Sequence, residues 1–256
     1  MHLYLKPLLN LFDDPPREDG IGKCIGTINT HLGAGLGLAL LANKIGKSFT
    51  LIYAPCKEDH DRGGRGKSLD TWAQATLDGQ DRLLQIEIKN WSVTAPGVLR
   101  LPVNTEQTPQ QIQAHRKKQW EYYFHNFNDG KTHIPAANSI NKLLRRMVLP
   151  PNFTGQYRKQ ITPLLILWPT MHPEGKSEAL FPVKLPDPKI CEERVQNFGG
   201  FTQFWFFSMS AHIRTLHQQN ISAINVDEAI LRSPKQAVEK LNIDIATWLK
   251  RFFNGR

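Results

Sequence analysis

Residues 67–91 read KSLDTWAQATLDGQDRLLQIEIKNW, and they predict a β-hairpin. In the second arm, Leu83–Lys89, polar residues alternate with leucine and isoleucine, as in a strand with one polar and one apolar face. The first arm, Ser68–Ala73, is shorter and compatible with a strand. Between the arms, Asp78-Gly79 is typical of a two-residue type I′ turn.

This turn determines which residues face each other across the hairpin. It pairs Leu77 with Gln80, and the same register extended along the arms brings Asp70 opposite Glu87. Lys89 follows two residues later on the same face of its strand. Because directly opposed like charges destabilise a sheet, two facing carboxylates suggest that a cation normally lies between them.

The chain as a whole has the composition of a globular protein. Its 256 residues are 40% hydrophobic, and we expect one domain over residues 1–225 with a helical extension over residues 226–256. No apolar run reaches the roughly 18 residues of a spanning helix, and no signal peptide is recognisable, so we expect a soluble cytoplasmic protein without membrane contact. The three scattered cysteines argue against a disulfide framework and a structural zinc site.

The net charge of +9 is concentrated in one segment of the chain. Between residues 115 and 159, nine basic residues are opposed only by Glu121 and Asp129. A basic segment beside a carboxylate site suits a polyanionic substrate, with nucleic acid first among them. The alternative is a basic surface that serves only solubility, and charge alone leaves both interpretations open.

Hydrophobic periodicity predicts the remaining elements of an α/β fold. We expect helices over residues 31–45, 109–127, 138–149 and 211–219, and buried strands over residues 49–54 and 161–168 and within residues 201–210. In the helix over residues 138–149, an apolar stripe predicts that Lys142, Arg145 and Arg146 face outward. Residues 169–188 are rich in turn-forming residues.

The set Asp70, Glu87 and Lys89 is suited to phosphodiester hydrolysis. Two carboxylates offer the hard oxygen ligands that Mg²⁺ or Mn²⁺ binds, and such a metal makes a bound water more acidic. A lysine beside the metal can orient the attacking water or stabilise charge in the transition state. The alternative is a surface strand with ordinary solvated charges, because a Glu-x-Lys pair also arises by chance.

Asp70 followed by Glu87-Ile88-Lys89, on the second and third strands after an initial helix, resembles the PD-(D/E)XK nuclease superfamily. The resemblance implies a restriction-endonuclease-like αβββαβ core, with a mixed central sheet flanked by helices, over residues 20–170. It also implies that Asp70, Glu87 and the main-chain carbonyl of Ile88 bind the metal, and that Lys89 is the catalytic lysine.

The chain departs from the pattern of that superfamily in two places. The residue before Asp70 is Leu69, where many members have proline. Many members also carry a glutamate on the first helix, whereas residues 31–45 contain no acid. Glu18, upstream of that helix, is a candidate substitute, and the number of metal ions, one or two, stays open.

A second resemblance lies in the helix that follows the lysine strand. Gln119 and Tyr123 match the Q-x-x-x-Y motif of RecB-type members and share one helix face, which implies contact with DNA near the site. The alternative is a chance match in a helix rich in these residues. We also expect sequence-independent phosphate contacts from nearby basic residues, namely Arg116, Lys117, Lys118, Arg145 and Arg146.

These patterns predict a Mg²⁺- or Mn²⁺-dependent deoxyribonuclease, an endonuclease of restriction, defence or DNA processing. A RecB-like exonuclease and a junction resolvase stay open within this class. From other classes, the alternatives are a non-catalytic nucleic-acid-binding protein that retains the fold, and a structural subunit whose C-terminal helix binds a partner. A homodimer is reasonable, because cutting both strands of DNA often needs two active sites.

Overall fold

The protein is a mixed α/β structure in which helices flank a six-stranded mixed sheet. The computed structural model describes residues 2–12, 34–59, 67–89, 107–124, 137–185, 188–227 and 230. Within these residues, the strands in chain order are β1 (His2–Tyr4), β2 (Thr50–Ile52), β3 (Thr71–Leu77), β4 (Gln80–Lys89), β5 (Ile161–Leu167), β6 (Leu180–Lys184), β7 (Gln203–Ser208) and β8 (Ala223–Asn225).

The helices lie mainly before β2, between β4 and β5, and after β7. They are α1 (Leu5–Phe12), α2 (residues 34–45), α3 (Pro109–Phe124), α4 (Ala137–Leu143), α5 (Pro188–Arg194) and α6 (Met209–Gln218), with short 3₁₀ helices at Gly46–Ser48 and Gly155–Gln160. Among the described residues, none of these helices combines the length and the hydropathy needed to span a membrane.

The large sheet has the strand order β2-β3-β4-β5-β7-β6. The three inner neighbours β4, β5 and β7 run parallel, whereas β2, β3 and β6 join by antiparallel pairing. Strands β1 and β8 form a separate antiparallel pair. The predicted order of helix, three strands, helical crossover and strand is therefore confirmed by α2, β2 to β4, α3 with α4, and β5.

The hairpin between β3 and β4 has the predicted turn and the predicted register. Leu77 pairs with Gln80 and Thr71 with Ile86. Asp78-Gly79 forms the turn with positive φ angles of 49° and 70°, as a type I′ turn requires at both central positions. Local turn chemistry therefore fixes the relative position of every side chain along the two strands.

The sheet separates two hydrophobic clusters, because successive side chains on a strand point to opposite faces. On β5, Leu164 and Ile166 enter the cluster formed with α2 and α6, whereas Leu165 and Leu167 enter the cluster formed with α3 and α4. On β4, the apolar face consists of Leu84, Ile86 and Ile88, and the polar face consists of Gln85, Glu87 and Lys89. The apolar face belongs to the first cluster, so the polar face is turned toward α3 and α4.

The predicted helix over residues 138–149 is too long. Helix α4 ends at Leu143, and the chain beyond it is extended, with Arg145 bridged to Phe198 and Met147 bridged to Glu58. The backbone of residues 145–148 therefore bonds to two neighbouring segments instead of continuing the helix. Such tertiary pairing overrides the helical periodicity that the sequence displays.

The turn-rich segment over residues 169–188 also contains regular structure that the sequence did not reveal. Strand β6 lies within it and pairs with β7 at the edge of the sheet. Pro182 sits in this strand, and an edge position tolerates it because one side of an edge strand needs no N–H for pairing. Apart from residues 226, 227 and 230, the helical extension predicted over residues 226–256 lies outside the described residues, as does the candidate acid Glu18.

Candidate active site

Asp70 lies one residue before β3, at the end of the hairpin farthest from the turn. Its N–H donates to the carbonyl of Ile86 at 3.0 Å, and its Oδ2 accepts from the N–H of Ile88 at 2.7 Å. The carboxylate of Asp70 thus accepts a hydrogen bond from a main-chain N–H of β4. These two bonds fix the Asp70 carboxylate against the strand segment that carries Glu87 and Lys89.

Glu87 is completely buried and contacts two ammonium groups. Its Oε1 lies 2.8 Å from Nζ of Lys89, and Nζ of Lys142 lies 2.8 Å from both carboxylate oxygens. Burial raises the pKa of Glu87, and the negative charge of Asp70 raises it further, against the opposing effect of the two lysines. The structure therefore brings the predicted residues Asp70, Glu87 and Lys89 together. Burial and the nearby Asp70 make the ionised form of Glu87 less favourable there.

Lys89 ends β4 with 37% of its side chain exposed. Burial by itself lowers the pKa of Lys89, but the hydrogen bond to Glu87 and the charges of Glu87 and Asp70 outweigh it and raise the pKa. The ammonium is therefore held charged, and it is far more exposed than the Glu87 carboxylate that it contacts.

Lys142 is a member of this site that was not predicted from the sequence. It was predicted to face outward, and this is wrong: α4 packs over β4 and β5 and turns Lys142 onto Glu87. One signal was available in the sequence. An acid on an inner strand of a covered sheet needs a cation, and the crossover between two parallel strands places a helix above it.

Arg145 was also predicted to face outward, and this is wrong as well. Its Nη1 lies 3.0 Å from both carboxylate oxygens of Glu58, and only 14% of its side chain is exposed. Glu58 Oε2 also accepts from the N–H of Lys67 at 3.1 Å. Arg146 is exposed as predicted, so of the two arginines it alone has an exposed side chain.

The predicted phosphate contacts on α3 divide into an exposed and a buried group. Lys117 and Lys118 are exposed, whereas Arg116 is half-buried and its Nη1 donates to the carbonyl of Gly175 at 3.5 Å. Gln119 is 0% and Tyr123 1% exposed, with Tyr123 in the cluster between α3 and the sheet. The shared face of the Q-x-x-x-Y match is thus turned inward, and it offers no surface to a nucleic acid in this conformation.

The hairpin offers two carboxylates that could hold a hard divalent cation. Asp70 and Glu87 supply carboxylate oxygens beside the main chain of Ile88, and Mg²⁺ commonly takes one or two carboxylates and keeps several waters. Within the described residues, no group of three or more His, Cys, Asp or Glu side chains forms a larger ligand cluster. The formal charges of Asp70, Glu87, Lys89 and Lys142 already balance, and ammonium groups contact both oxygens of Glu87, so a metal ion on Glu87 would have to displace one of these contacts.

Comparison with known proteins adds no functional assignment to this geometry. No protein family, curated protein or solved structure matches the chain.

Proposed function

We propose that this protein is a metal-dependent deoxyribonuclease of the PD-(D/E)XK type with a restriction-endonuclease-like fold. The observation that carries the proposal is the convergence of Asp70, Glu87 and Lys89 at one end of the β3–β4 hairpin. The helix, three-strand, helix and strand order around this hairpin supports it. Two carboxylates and a lysine at this spacing suit in-line hydrolysis of a phosphodiester.

Within this proposal, Asp70, Glu87 and the main-chain carbonyl of Ile88 hold Mg²⁺ or Mn²⁺. The bound ion would supply a more acidic water and positive charge opposite the phosphate. The contribution of the chain itself is preorganisation. The hydrogen bond from Ile88 to Asp70 and the burial of Glu87 keep both carboxylates in place before substrate arrives.

Lys89 acts at the entrance of the site. Its contact with Glu87 holds the ammonium beside the carboxylates, and its exposed portion can reach a phosphate oxygen or the attacking water. Because its pKa is raised, the group stays cationic and donates hydrogen bonds without giving up its proton.

The surface charge supports DNA as the substrate. Lys117, Lys118 and Arg146 are exposed and can contact phosphates without reading base sequence. Binding should therefore weaken steeply as salt concentration rises. Action on DNA is consistent with a cytoplasmic location, and cutting of both strands is consistent with a homodimer or with a partner bound through residues 226–256.

A cleavage assay tests the proposal. Full-length protein is incubated with linear, closed circular and single-stranded DNA in Mg²⁺, Mn²⁺ or EDTA. We expect metal-dependent cleavage that Asp70→Ala and Lys89→Ala abolish. The matched control Asp78→Asn, which keeps a residue suited to a type I′ turn, should cut at the wild-type rate. Cleavage that persists in both site variants would overturn the assignment, and cleavage of the closed circle would identify an endonuclease.

One observation favours a second candidate, a nucleic-acid-binding protein without catalytic activity. Lys142 contacts both oxygens of Glu87, so the ion cluster is complete as a structural element. In that case all three DNA forms should bind in a salt-sensitive manner and stay intact in Mg²⁺ and Mn²⁺. Loss of binding in a Lys117→Ala, Lys118→Ala double variant would locate the contact on α3.

A further inference from the structure

A cavity of about 480 Å³ lies at the end of the sheet opposite the candidate active site. It is bordered by Ile161 and Gln203, where the parallel strands β5 and β7 begin. Glu87 and Lys89 lie at the carboxyl end of the parallel strand β4, beside Leu165 and Leu167. The cavity is therefore distinct from the hairpin site, and its volume falls in the range of about 300–1,000 Å³ typical of small-molecule sites.

Gln85 supplies an unused acceptor at this cavity. Its side chain is completely buried, and Nε2 donates to the main-chain carbonyls of Leu143 and Arg145. These two bonds fix the orientation of the amide. Its Oε1 is buried and, within the described residues, has no hydrogen-bond partner. Buried polar atoms are nearly always paired, so an unpaired oxygen on a residue that borders a cavity indicates a missing donor.

Two arginines supply donors on the same cavity. Nε of Arg82 is buried and also has no acceptor within the described part of the chain, although another nitrogen of its guanidinium bonds to Gln80. Arg146 is exposed and lines the cavity as well. No acidic residue is among the lining residues, so the cavity has a net positive wall that favours an anion.

The glycine pair Gly199-Gly200 shapes the remaining wall. A Cβ on Gly199 would collide with the ring of Phe201, so the missing side chain lets this ring lie against the backbone. Gly200 has a φ of +74°, and the space where its Cβ would stand is open. An aromatic ring beside an open mouth provides a flat apolar surface for a planar group.

We propose that this cavity binds a nucleoside 5′-monophosphate group. Arg82 and Arg146 bind the phosphate, Phe201 packs against the base, and Oε1 of Gln85 accepts from an exocyclic amine of the base. The group can belong to a free nucleotide or to the 5′ end of a DNA strand, since both present the same chemistry. This assignment does not depend on cleavage at the hairpin, because Asp70, Glu87 and Lys89 do not line the cavity. Of the residues named here, Arg146 is shared with the proposed DNA contacts.

Calorimetry in EDTA tests the proposal on the full chain, with adenosine 5′-monophosphate, adenosine and inorganic phosphate as separate probes. We expect the monophosphate to bind more tightly than either part alone. Arg146→Gln should weaken it about tenfold, as expected for one charge-assisted hydrogen bond. Phe201→Leu should weaken binding of the monophosphate and leave binding of inorganic phosphate unchanged. Lys47→Gln, at an exposed lysine, is the control for charge alone.

Competition by a 5′-phosphorylated oligonucleotide identifies the source of the group. If the oligonucleotide displaces the monophosphate, the ligand of the cavity is a DNA end. If the oligonucleotide does not displace it, the ligand is a free nucleotide. Two results would overturn the proposal: no binding of the monophosphate at millimolar concentration, or equal affinity in wild-type protein, Arg146→Gln and Phe201→Leu. The Asp70→Ala protein should bind as wild type does, which separates failure here from failure of the nuclease proposal.

Discussion

The apolar face and the polar face of β4 lie back to back in the same sheet, and helices cover both. On the apolar face, side chains of similar size pack against α2 and α6, and any group of the right volume contributes. On the polar face, Gln85 and Glu87 are equally buried, but each requires specific partners to offset the loss of water. Burial alone therefore does not distinguish the two faces of β4. The faces differ because the polar side chains require specific hydrogen-bond or ion-pair partners.

The largest expected effect concerns function on the polar face. Lys89→Ala should lower DNA cleavage by at least about 10²–10³-fold, which abolishes it in the assay described above, because one positioned donor is lost where charge develops. Its effect on the free energy of unfolding, measured by urea titration, should be small, since 37% of this side chain is exposed. A large loss of stability with cleavage retained would instead make Lys89 a structural residue.

The next effect concerns stability on the same face. Lys142→Met leaves Glu87 with one cation, and removing a partner from a buried ion pair should lower the free energy of unfolding by about 3 kcal/mol. The double variant Glu87→Leu, Lys142→Met should recover most of this loss, because apolar groups then replace both charges.

The double variant decides whether the polar face serves stability or chemistry. A protein that unfolds like wild type in urea and no longer cuts DNA would show that the charges are kept for function. Lys47→Met, at an exposed lysine, is the control for loss of one charge. A loss below about 1 kcal/mol in the Lys142→Met single variant would mean that Lys89 alone neutralises Glu87.

A third prediction tests whether a titratable group on the apolar side of the sheet affects the stability of the protein. His212 on α6 is buried, with a pKa lowered to about 4 by burial and by Lys44, and its Nε2 lies 2.9 Å from Oδ1 of Asn43. The unfolded chain binds a proton at a higher pH than the folded one. The stability contributed by neutral His212 is therefore complete above about pH 6.5 and is lost as pH falls toward 4.

Urea titrations at pH 7 and pH 4.5 measure this effect. Wild type should lose roughly 2 kcal/mol more than His212→Gln between these pH values. An identical loss in both proteins would assign the acid sensitivity to other groups. His115, with a pKa also lowered to about 4 by burial and by the nearby Arg214 and Arg116, provides the comparison on α3 through His115→Gln.

The smallest effect is expected on the apolar face of β4. Ile86→Val should lower the free energy of unfolding by about 1 kcal/mol, the usual result of removing one buried methylene. DNA cleavage should be unchanged, since the side chain points away from the carboxylates. A loss of cleavage without further loss of stability would show that packing on this face controls the geometry of the other.

The sequence predicted what depends on neighbours along the chain. The type I′ turn at Asp78-Gly79 and the two-residue period of β4 gave the hairpin, its register and the position of Asp70 against the Glu87 strand. These are local features with few alternatives. The element order from α2 to β5 followed from the same periodicities.

Features that depend on distant partners could not be predicted from the sequence. Helix α4 ends early because residues 145–148 pair with segments near Glu58 and Phe198, and no local signal marks those contacts. Lys142 and Arg145 turned inward for the same reason, to meet buried acids far away in the chain. The sequence did not indicate which face of α3 is buried, because the apolar stripe of this helix is weak.

The position of β4 in the sheet has a consequence for the order of folding events. Its pairing with β3 spans a two-residue turn, whereas its pairing with β5 must close a loop over residues 90–160. The hairpin should therefore form first, with Asp70 and Glu87 facing each other before Lys142 has docked. Repulsion should keep that end of the nascent hairpin open. Pulsed hydrogen exchange should accordingly show early protection of amides near Gly79 and late protection of the Ile88 amide.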